Sequence, residues 1–321
     1  MSKKIIIMVA LAGAFLLSFV IAKQVRKPIT TVLYTIGILQ TASHPALDAA
    51  RDGFMEELQS KLGADVAFIV QNAQGSVSQA HTIAQQFHAN RQLSGVFSIA
   101  TPAAQAMSAV DKVKPIFIAA VTDPNALGLI YPTTNVCGVT DAINVPAEIE
   151  MLVHLIPTTK TVGILYTSGE TNSLVMAKQM RQELEARGLT VTDFAVTNES
   201  DLAALTELAC RKVDVLLSPT DNMIASAISL ISTITLKNKK PFMVSDNMLV
   251  KFGPLAARGV DYKLSGKQAA QVAYKVLVEG AKPFELPIEQ ADSKKAFINR
   301  ETMTFFGIVV PQELQNDIVL I

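Results

Sequence analysis

Residues 32–54 read VLYTIGILQTASHPALDAARDGF, and this stretch decides the fold class. Its first half, residues 32–40, is a nearly continuous apolar run, which is typical of a strand that is buried on both faces of a sheet. A polar turn at residues 40–44 follows, and Pro45 then suits the first position of a helix. From Leu47 onward, apolar residues recur at helical spacing, so the sequence predicts a strand, a polar turn and a helix in that order.

The same order repeats along the chain. Further apolar runs lie at residues 65–71, 93–100, 114–122, 136–141, 161–167, 190–196, 213–219 and 240–246. Amphipathic stretches separate these runs, and such alternation predicts parallel sheets joined by right-handed crossovers. We therefore expect an α/β protein with two doubly wound parallel-sheet lobes joined by a hinge. The break between the two series lies near residues 141–146.

The remaining chain is too short to form a third domain. Residues 255–262 are interpreted as another strand and residues 266–280 as a helix, so the tail must pack on the existing lobes. The predicted first lobe is 30–143 plus 262–285, and the predicted second lobe is 144–261 plus 286–321.

The N-terminus predicts export. Lys3 and Lys4 precede an apolar run that ends at Ala22, the pattern of a secretory signal peptide over residues 1–22. The run is also just long enough to cross a bilayer, so an uncleaved anchor stays open as an alternative. The protein is expected to be periplasmic, or tethered to the outer face of the cytoplasmic membrane.

Composition argues against several classes of function. Lys and Arg together number 28, as do Asp and Glu, so no basic field for nucleic acid exists. Cys137 and Cys210 lie far apart in sequence, so neither a metal site nor a disulfide framework is expected. No nucleophile elbow, phosphate loop or dinucleotide fingerprint occurs, so we expect a protein without a cofactor that is not an enzyme.

Polar residues gather where the predicted strands end. Ligands of open parallel sheets bind beyond the carboxyl ends of the strands, so these residues predict a cleft between the lobes. For any single one of them, capping of the next helix is the simpler interpretation. A helix that begins at Thr101 and Pro102 suits a carboxylate, and Asp123, Asp221 or Asp246 can receive an ammonium group. A small zwitterion fits both features.

At these positions the chain resembles a known family. The matching stretches are IGILQTASHPALDAARDGF (36–54), IATPAAQ (99–105), AVTDP (120–124), VGILYTSGETNS (162–173), PTDN (219–222) and SD (245–246). In this ordered series it is similar to the substrate-binding proteins of ABC transporters, in the family that includes tryptophan- and phenylalanine-binding members. The resemblance implies a type I periplasmic-binding fold with three crossovers between the lobes. Many relatives are lipoproteins, and this chain lacks the lipid-bearing cysteine.

The resemblance also implies roles for the polar residues. The turn at Thr101 would hold a ligand carboxylate, and Asp221 or Asp246 would hold its ammonium group. Other members would act as polar clamps or line the wall of the first lobe and the hinge. The full predicted ligand-binding set is Thr41, His44, Thr101, Pro102, Thr122, Asp123, Tyr166, Asn172, Ser173, Thr220, Asp221, Asn222 and Asp246.

The implied function is capture of an aromatic amino acid, tryptophan or else phenylalanine or tyrosine. Hinge closure would bury the ligand, and the closed monomer would deliver it to a membrane permease that works with an ATPase. Two alternatives stay open at this point. One is a membrane-anchored ligand sensor, and the other is a binding protein for a different small polar ligand such as a sugar or nucleoside.

Overall fold

The computed structural model describes residues 32–125, 128–129, 134–291, 295–315 and 318–321. The predicted leader at residues 1–22 lies outside these ranges. Among the described helices, none has both the length and the apolar character that a membrane span requires.

The first lobe is built on a six-stranded parallel sheet. Its strands are β1 (Tyr34–Gln40), β2 (Val66–Asn72), β3 (Gly95–Ile99), β4 (Ile116–Val121), β5 (Val136–Thr140) and β11 (Glu289–Gln290). They lie in the order β11-β5-β4-β3-β1-β2. The helices of this lobe are α1 (Pro45–Leu62), α2 (Val77–Ala89), α3 (Thr101–Val110) and α9 (Tyr262–Leu277).

The second lobe is built on a seven-stranded sheet. Its strands are β6 (Thr161–Thr167), β7 (Thr190–Val196), β8 (Val215–Ser218), β9 (Phe242–Val244), β10 (Ala256–Arg258), β12 (Ala296–Ile298) and β13 (Ile318–Leu320). They lie in the order β13-β12-β10-β9-β8-β6-β7, and the β10–β12 pair is antiparallel while the other pairs are parallel. The helices are α4 (Val145–Leu155), α5 (Thr171–Ala186), α6 (Leu202–Lys212), α7 (Asn222–Ser226), α8 (Ile228–Lys237) and α10 (Arg300–Phe305).

The chain passes between the sheets three times, after β5, after β10 and after β11. This confirms the prediction of two doubly wound lobes with three crossovers. One detail of the predicted lobe boundaries needs correction. Residues 286–321 were assigned to the second lobe, whereas β11 pairs with β5 in the first sheet. The strand contains only two residues, Glu289 and Gln290, so no apolar run marks it in the sequence.

Two glycines let α1 and α9 pack with their backbones in close approach. A Cβ on Gly266 would lie 2.0 Å from the Ala50 carbonyl oxygen, and one on Gly53 would lie 2.2 Å from the Lys263 carbonyl oxygen. Only glycine fits at such a crossing. The contact fixes the start of α9, where the chain enters the first lobe from β10.

The end of β4 departs from regular pairing with β5. The register shifts between Ile118 and Val121, and Gly138 on β5 has a φ of 141°. Ala120 sits within the irregularity with a φ of 58°. Bulges bend a strand and redirect its side chains, and this one lies at the carboxyl end, beside the space between the lobes.

Candidate functional site

The carboxyl ends of strands from both sheets enclose one cavity between the lobes. It contains about 420 Å³ of space that protein atoms do not fill. The first lobe and the crossings contribute His44, Leu47, Ala100, Ala120, Thr122, Asp141 and Tyr262, and the second lobe contributes Asn172, Ser218, Pro219, Thr220, Asp221, Asn222, Ile224, Ala225, Val244, Asp246 and Leu249.

The lobes touch directly around this cavity. His44 Nε2 lies 3.3 Å from Asn222 Oδ1, and the hydroxyl oxygens of Thr122 and Thr220 lie 3.1 Å apart. Outside the cavity, Gln105 Nε2 donates to Thr171 Oγ1 at 3.2 Å. Each contact joins a residue of the first lobe to one of the second, so the structure is that of a closed arrangement.

Two aspartates reach the cavity, one from the first crossing and one from the end of a strand in the second lobe. Asp141 follows β5 and is 2 % exposed, and Asp246 follows β9 and is 5 % exposed. Tyr262 donates its hydroxyl to Asp141 Oδ2 at 2.9 Å, while Asp141 Oδ1 is buried and has no hydrogen-bond partner among the residues that the structure describes. Asp246 Oδ1 accepts from the Met248 amide at 2.8 Å and so caps the short helix that follows.

Burial disfavours the charged form of both groups, and the described residues that line the cavity include neither Lys nor Arg. It raises the pKa of Asp141, against the hydrogen bonds from Tyr262 and Thr122. It raises the pKa of Asp246 to about 7, with opposition from the Met248 amide and a further increase from the charge of Asp141. Paired carboxylates of this kind gain most from a cation placed between them.

Asp221 has a different environment from these two. Its oxygens accept from the Thr167 amide at 2.6 Å, the Thr167 hydroxyl at 2.8 Å, the Ile224 amide at 2.9 Å and the Ser173 hydroxyl. A carboxylate has about four acceptor positions, so this set fills them. Asp221 therefore holds β6, α5 and α7 together and has no free lone pair for a ligand.

A network led by Glu170 fixes Asn222 at the cavity wall. Glu170 accepts from the amide and the side-chain Nδ2 of Asn222 at 3.1 and 2.6 Å, and from the Met223 amide at 3.2 Å. Burial, followed by the charge of Asp221, raises the pKa of Glu170 to about 7. Since Asn222 Nδ2 is engaged by Glu170, the Oδ1 atom is the one presented to His44.

The predicted site residues divide into two groups. His44, Thr122, Asn172, Thr220, Asp221, Asn222 and Asp246 are brought together in the cavity lining. Thr41, Thr101, Pro102, Asp123, Tyr166 and Ser173 do not belong to the lining. Ligand contact by any member of the first group stays a prediction.

Three residues outside the lining have identifiable structural roles. The Thr41 hydroxyl donates to the Ile99 carbonyl at 2.9 Å and accepts from the Ala103 amide at 3.2 Å, so it anchors the start of α3. The Ser173 hydroxyl binds Asp221. Tyr166 packs against the core of the second lobe, near Asp193 and Arg181.

The start of α3 lies next to the cavity. Ala100 precedes the helix with a φ of 75° and lines the cavity, and Thr101 keeps a buried hydroxyl without a partner. A positive φ at a non-glycine residue costs free energy, and such residues concentrate at functional sites. The strained turn lies beside the cavity, but the amides that follow Thr101 are not free donors, because Pro102 has no amide hydrogen and the Ala103 amide donates to Thr41.

Sequence reasoning missed several lining residues. Asp141 ends β5 in the same manner as Asp246 ends β9, so the rule of polar strand ends would have found it. Tyr262 begins a helix after a crossing, and no local pattern marks it. The apolar lining residues Leu47, Ile224 and Leu249 have the spacing of ordinary core positions, so nothing in the sequence separates them from the core.

Comparison with known proteins defines the class to which this fold and cavity belong. The family model described as ABC transporter substrate binding protein matches residues 35–317. The chain belongs to this family of binding proteins, and its architecture is the type I periplasmic-binding fold.

Particular relatives narrow the comparison. The tyrosine-binding protein of Clostridioides difficile is 32% identical over 275 residues, which cover 84% of this chain and 79% of the relative. The structure of an ABC domain in complex with L-Trp from Streptococcus pneumonia is 32% identical with a TM-score of 0.84, covering 89% of this chain and 99% of that one. A ligand-free, open structure of a substrate-binding protein with adhesive properties from Clostridium difficile is 31% identical with a TM-score of 0.67, covering 90% and 99%.

The two solved structures differ in how well the present chain superposes on them. Identity and coverage are nearly equal, yet the score is 0.84 for the complex with L-Trp and 0.67 for the open form. The arrangement of the lobes therefore resembles the ligand-bound relative, which agrees with the direct contacts between His44 and Asn222 and between Thr122 and Thr220.

Proposed function

We propose that this protein binds an aromatic amino acid in the cavity between its lobes and delivers it, without chemical change, to the permease of an ABC importer. One observation carries the assignment of the site. Asp141, at the first crossing, and Asp246, at the end of β9, are both buried and line one cavity, and the described lining contains neither Lys nor Arg. An α-ammonium group between them would supply the missing positive charge.

The remaining groups of the cavity suit the rest of such a ligand. Leu47 from the first lobe and Ile224 and Leu249 from the second offer apolar surface for a ring. The α-carboxylate would lie toward the start of α3, where the buried Thr101 hydroxyl has no partner among the described residues. The relatives that bind tyrosine and L-Trp support an aromatic side chain.

Closure follows from the same charges. Bringing two carboxylates together without a cation is unfavourable, so the empty protein favours separated lobes, and the ligand shifts the population to the closed form. We propose that this closed monomer is recognised by a permease and that an ATPase drives transport. We further propose that the leader exports the chain, which then works in the periplasm or tethered to the outer face of the membrane.

Isothermal titration calorimetry with the twenty amino acids, a sugar panel and nucleosides tests the proposal. At least one of tryptophan, tyrosine and phenylalanine should bind, and Asp246→Asn should weaken that binding by about 30-fold or more, as for loss of one partner of a buried charge pair. Asp141→Asn should act in the same direction.

Asp65→Asn is the matched control, because Asp65 is an exposed carboxyl on the first lobe. Binding of a sugar or nucleoside with no response to any aromatic amino acid would overturn the ligand assignment. Unchanged affinity in both cavity variants would overturn the ammonium site.

A further inference from the structure

Within the described part of the chain, three buried polar atoms of the cavity lining have no hydrogen-bond partner. They are His44 Nδ1, Asp141 Oδ1 and Asn172 Oδ1. Buried polar atoms are almost always paired, and an unpaired one costs free energy. Three such atoms around one cavity indicate which hydrogen-bonding groups a ligand must supply.

All three atoms are hydrogen-bond acceptors. A carboxylate oxygen and an amide oxygen accept only, and Asn172 Nδ2 is already used to donate to the Thr220 carbonyl at 2.8 Å. The tautomer of His44 is set by its neighbour. Asn222 Oδ1 can only accept, so His44 Nε2 carries the hydrogen of that contact. Burial lowers the pKa of His44 to about 4, so the ring is neutral and its Nδ1 is an acceptor.

The charges of the lining also favour a ligand that carries positive charge and hydrogen-bond donors. Asp141 and Asp246 face the cavity, and the lining of the described chain has no Lys or Arg to balance them. A ligand carboxylate would bring further negative charge near these groups and would rely on neutral donors alone. Thr101, whose hydroxyl is the nearest candidate donor, lies beside the lining residue Ala100 but is not itself part of the lining.

We propose that aromatic monoamines, the compounds that lack the α-carboxylate of the matching aromatic amino acid, form a second class of ligand for this cavity. The ammonium group supplies three donors and the positive charge, and a ring N–H or hydroxyl supplies a further donor. The carboxylate adds little to recognition. This inference rests on the proposed ammonium site and deepens the proposed function, because it states which part of the ligand is recognised.

Calorimetry on the purified full chain tests the inference with three matched sets of compounds. Each set contains an amino acid, its amine and its deaminated acid: tryptophan with tryptamine and indole-3-propionate, tyrosine with tyramine and 3-(4-hydroxyphenyl)propionate, and phenylalanine with phenethylamine and 3-phenylpropionate. The amine of the best-bound amino acid should bind within about 30-fold of it, and the deaminated acid should bind more weakly than the amine.

Each outcome separates the two proposals. If the amino acid binds and its amine is weaker by more than about 30-fold, the amine class is refuted while the proposed function stands. If the deaminated acid binds as tightly as the amino acid, the ammonium site is refuted as well. If no aromatic compound binds, the proposed function itself fails.

A variant adds a second measurement. Asp141→Asn should weaken binding of the amino acid and of the amine by similar factors, because both place a cation beside the carboxylate. Binding of the deaminated acid should be unchanged or tighter. Asp65→Asn should change none of the three, and thermal unfolding should show that both variants fold. Loss of amino-acid binding with retention of amine binding in Asp141→Asn would contradict the shared site.

Discussion

Ligand affinity should depend on pH through Asp246. In the closed arrangement the pKa of this carboxyl is raised to about 7 by burial and by the neighbouring Asp141, so below pH 7 the closed cavity without ligand holds it largely protonated. The ammonium of an aromatic amino acid needs the ionised form. Raising the pH from 5.5 to 7.5 should therefore strengthen binding.

The magnitude follows from the fraction ionised. With a pKa of about 7, roughly 3% of the carboxyl is ionised at pH 5.5 and roughly 75% at pH 7.5. The affinity of the closed form should rise by at most about 25-fold across this interval, or about 2 kcal/mol. The ligand ammonium stays protonated throughout, so it does not contribute to the change.

Calorimetry at both pH values measures the change, and titration at pH 6 in buffers of different ionisation enthalpy counts the proton released on binding. Two other titratable groups lie near the pair: Tyr262 donates to Asp141, and Glu148 accepts from Ser245, the residue before Asp246. Asp246→Asn should flatten most of the profile, and Asp65→Asn should retain it. A wild-type affinity that is the same at both pH values would refute this account of the site.

Three further predictions concern the scaffold and closure. Gly266→Ala should lower the free energy of unfolding by about 1–3 kcal/mol in urea titrations, because its Cβ would meet backbone atoms. Gly169→Ala is the control and should cause no such loss, because nothing lies within 4 Å of the Cβ position at Gly169. Equal losses in the two variants would contradict the packing argument. The pKa of Glu148 is raised to about 8 by burial, so the folded state holds a proton that the unfolded state releases, and stability falls as pH rises from about 4.5 to 8. Glu148→Gln should make this decline shallower by about 1.4 kcal/mol per pH unit at most, measured by unfolding at pH 5.5 and 7.5, and an unchanged slope would place the titration elsewhere. Asn222→Ala removes the acceptor of His44 and should weaken ligand binding about 3- to 10-fold through a faster dissociation rate, seen by stopped-flow fluorescence; a change only in the association rate would argue against a role in closure.

The architecture was predictable because buried parallel strands leave a strong signal. All nine apolar runs of the two main series became strands, and the polar turn before Pro45 became the start of α1. The strand β11 was missed because its two polar residues carry no periodic pattern. Its pairing depends on where the third crossing brings the chain, which is a property of the complete fold.

The candidate site was predictable only in part. The rule of polar strand ends located the cavity but did not separate a capping aspartate from an available one. Asp221 and Asp246 occupy similar sequence contexts, and both cap the segment that follows. They differ in the donors that the rest of the fold supplies. Residues from β6 and α5 donate to Asp221 and help to fill its acceptor positions, whereas the donor described for Asp246 is the nearby Met248 amide. The donors that reach each aspartate depend on the tertiary structure, so the local sequence does not reveal them.

The three crossings have a consequence for how the chain is made and exported. The first sheet gains its outer strand β11 only at Gln290, and the second sheet gains β12 and β13 only at Ile298 and Leu320. Neither lobe can complete its sheet during synthesis until almost the whole chain has emerged. Pairings this distant in sequence form slowly, so a nascent chain of this topology remains unfolded for longer than one whose domains are contiguous. A secretion channel that threads extended polypeptide would find this chain still in a translocatable state.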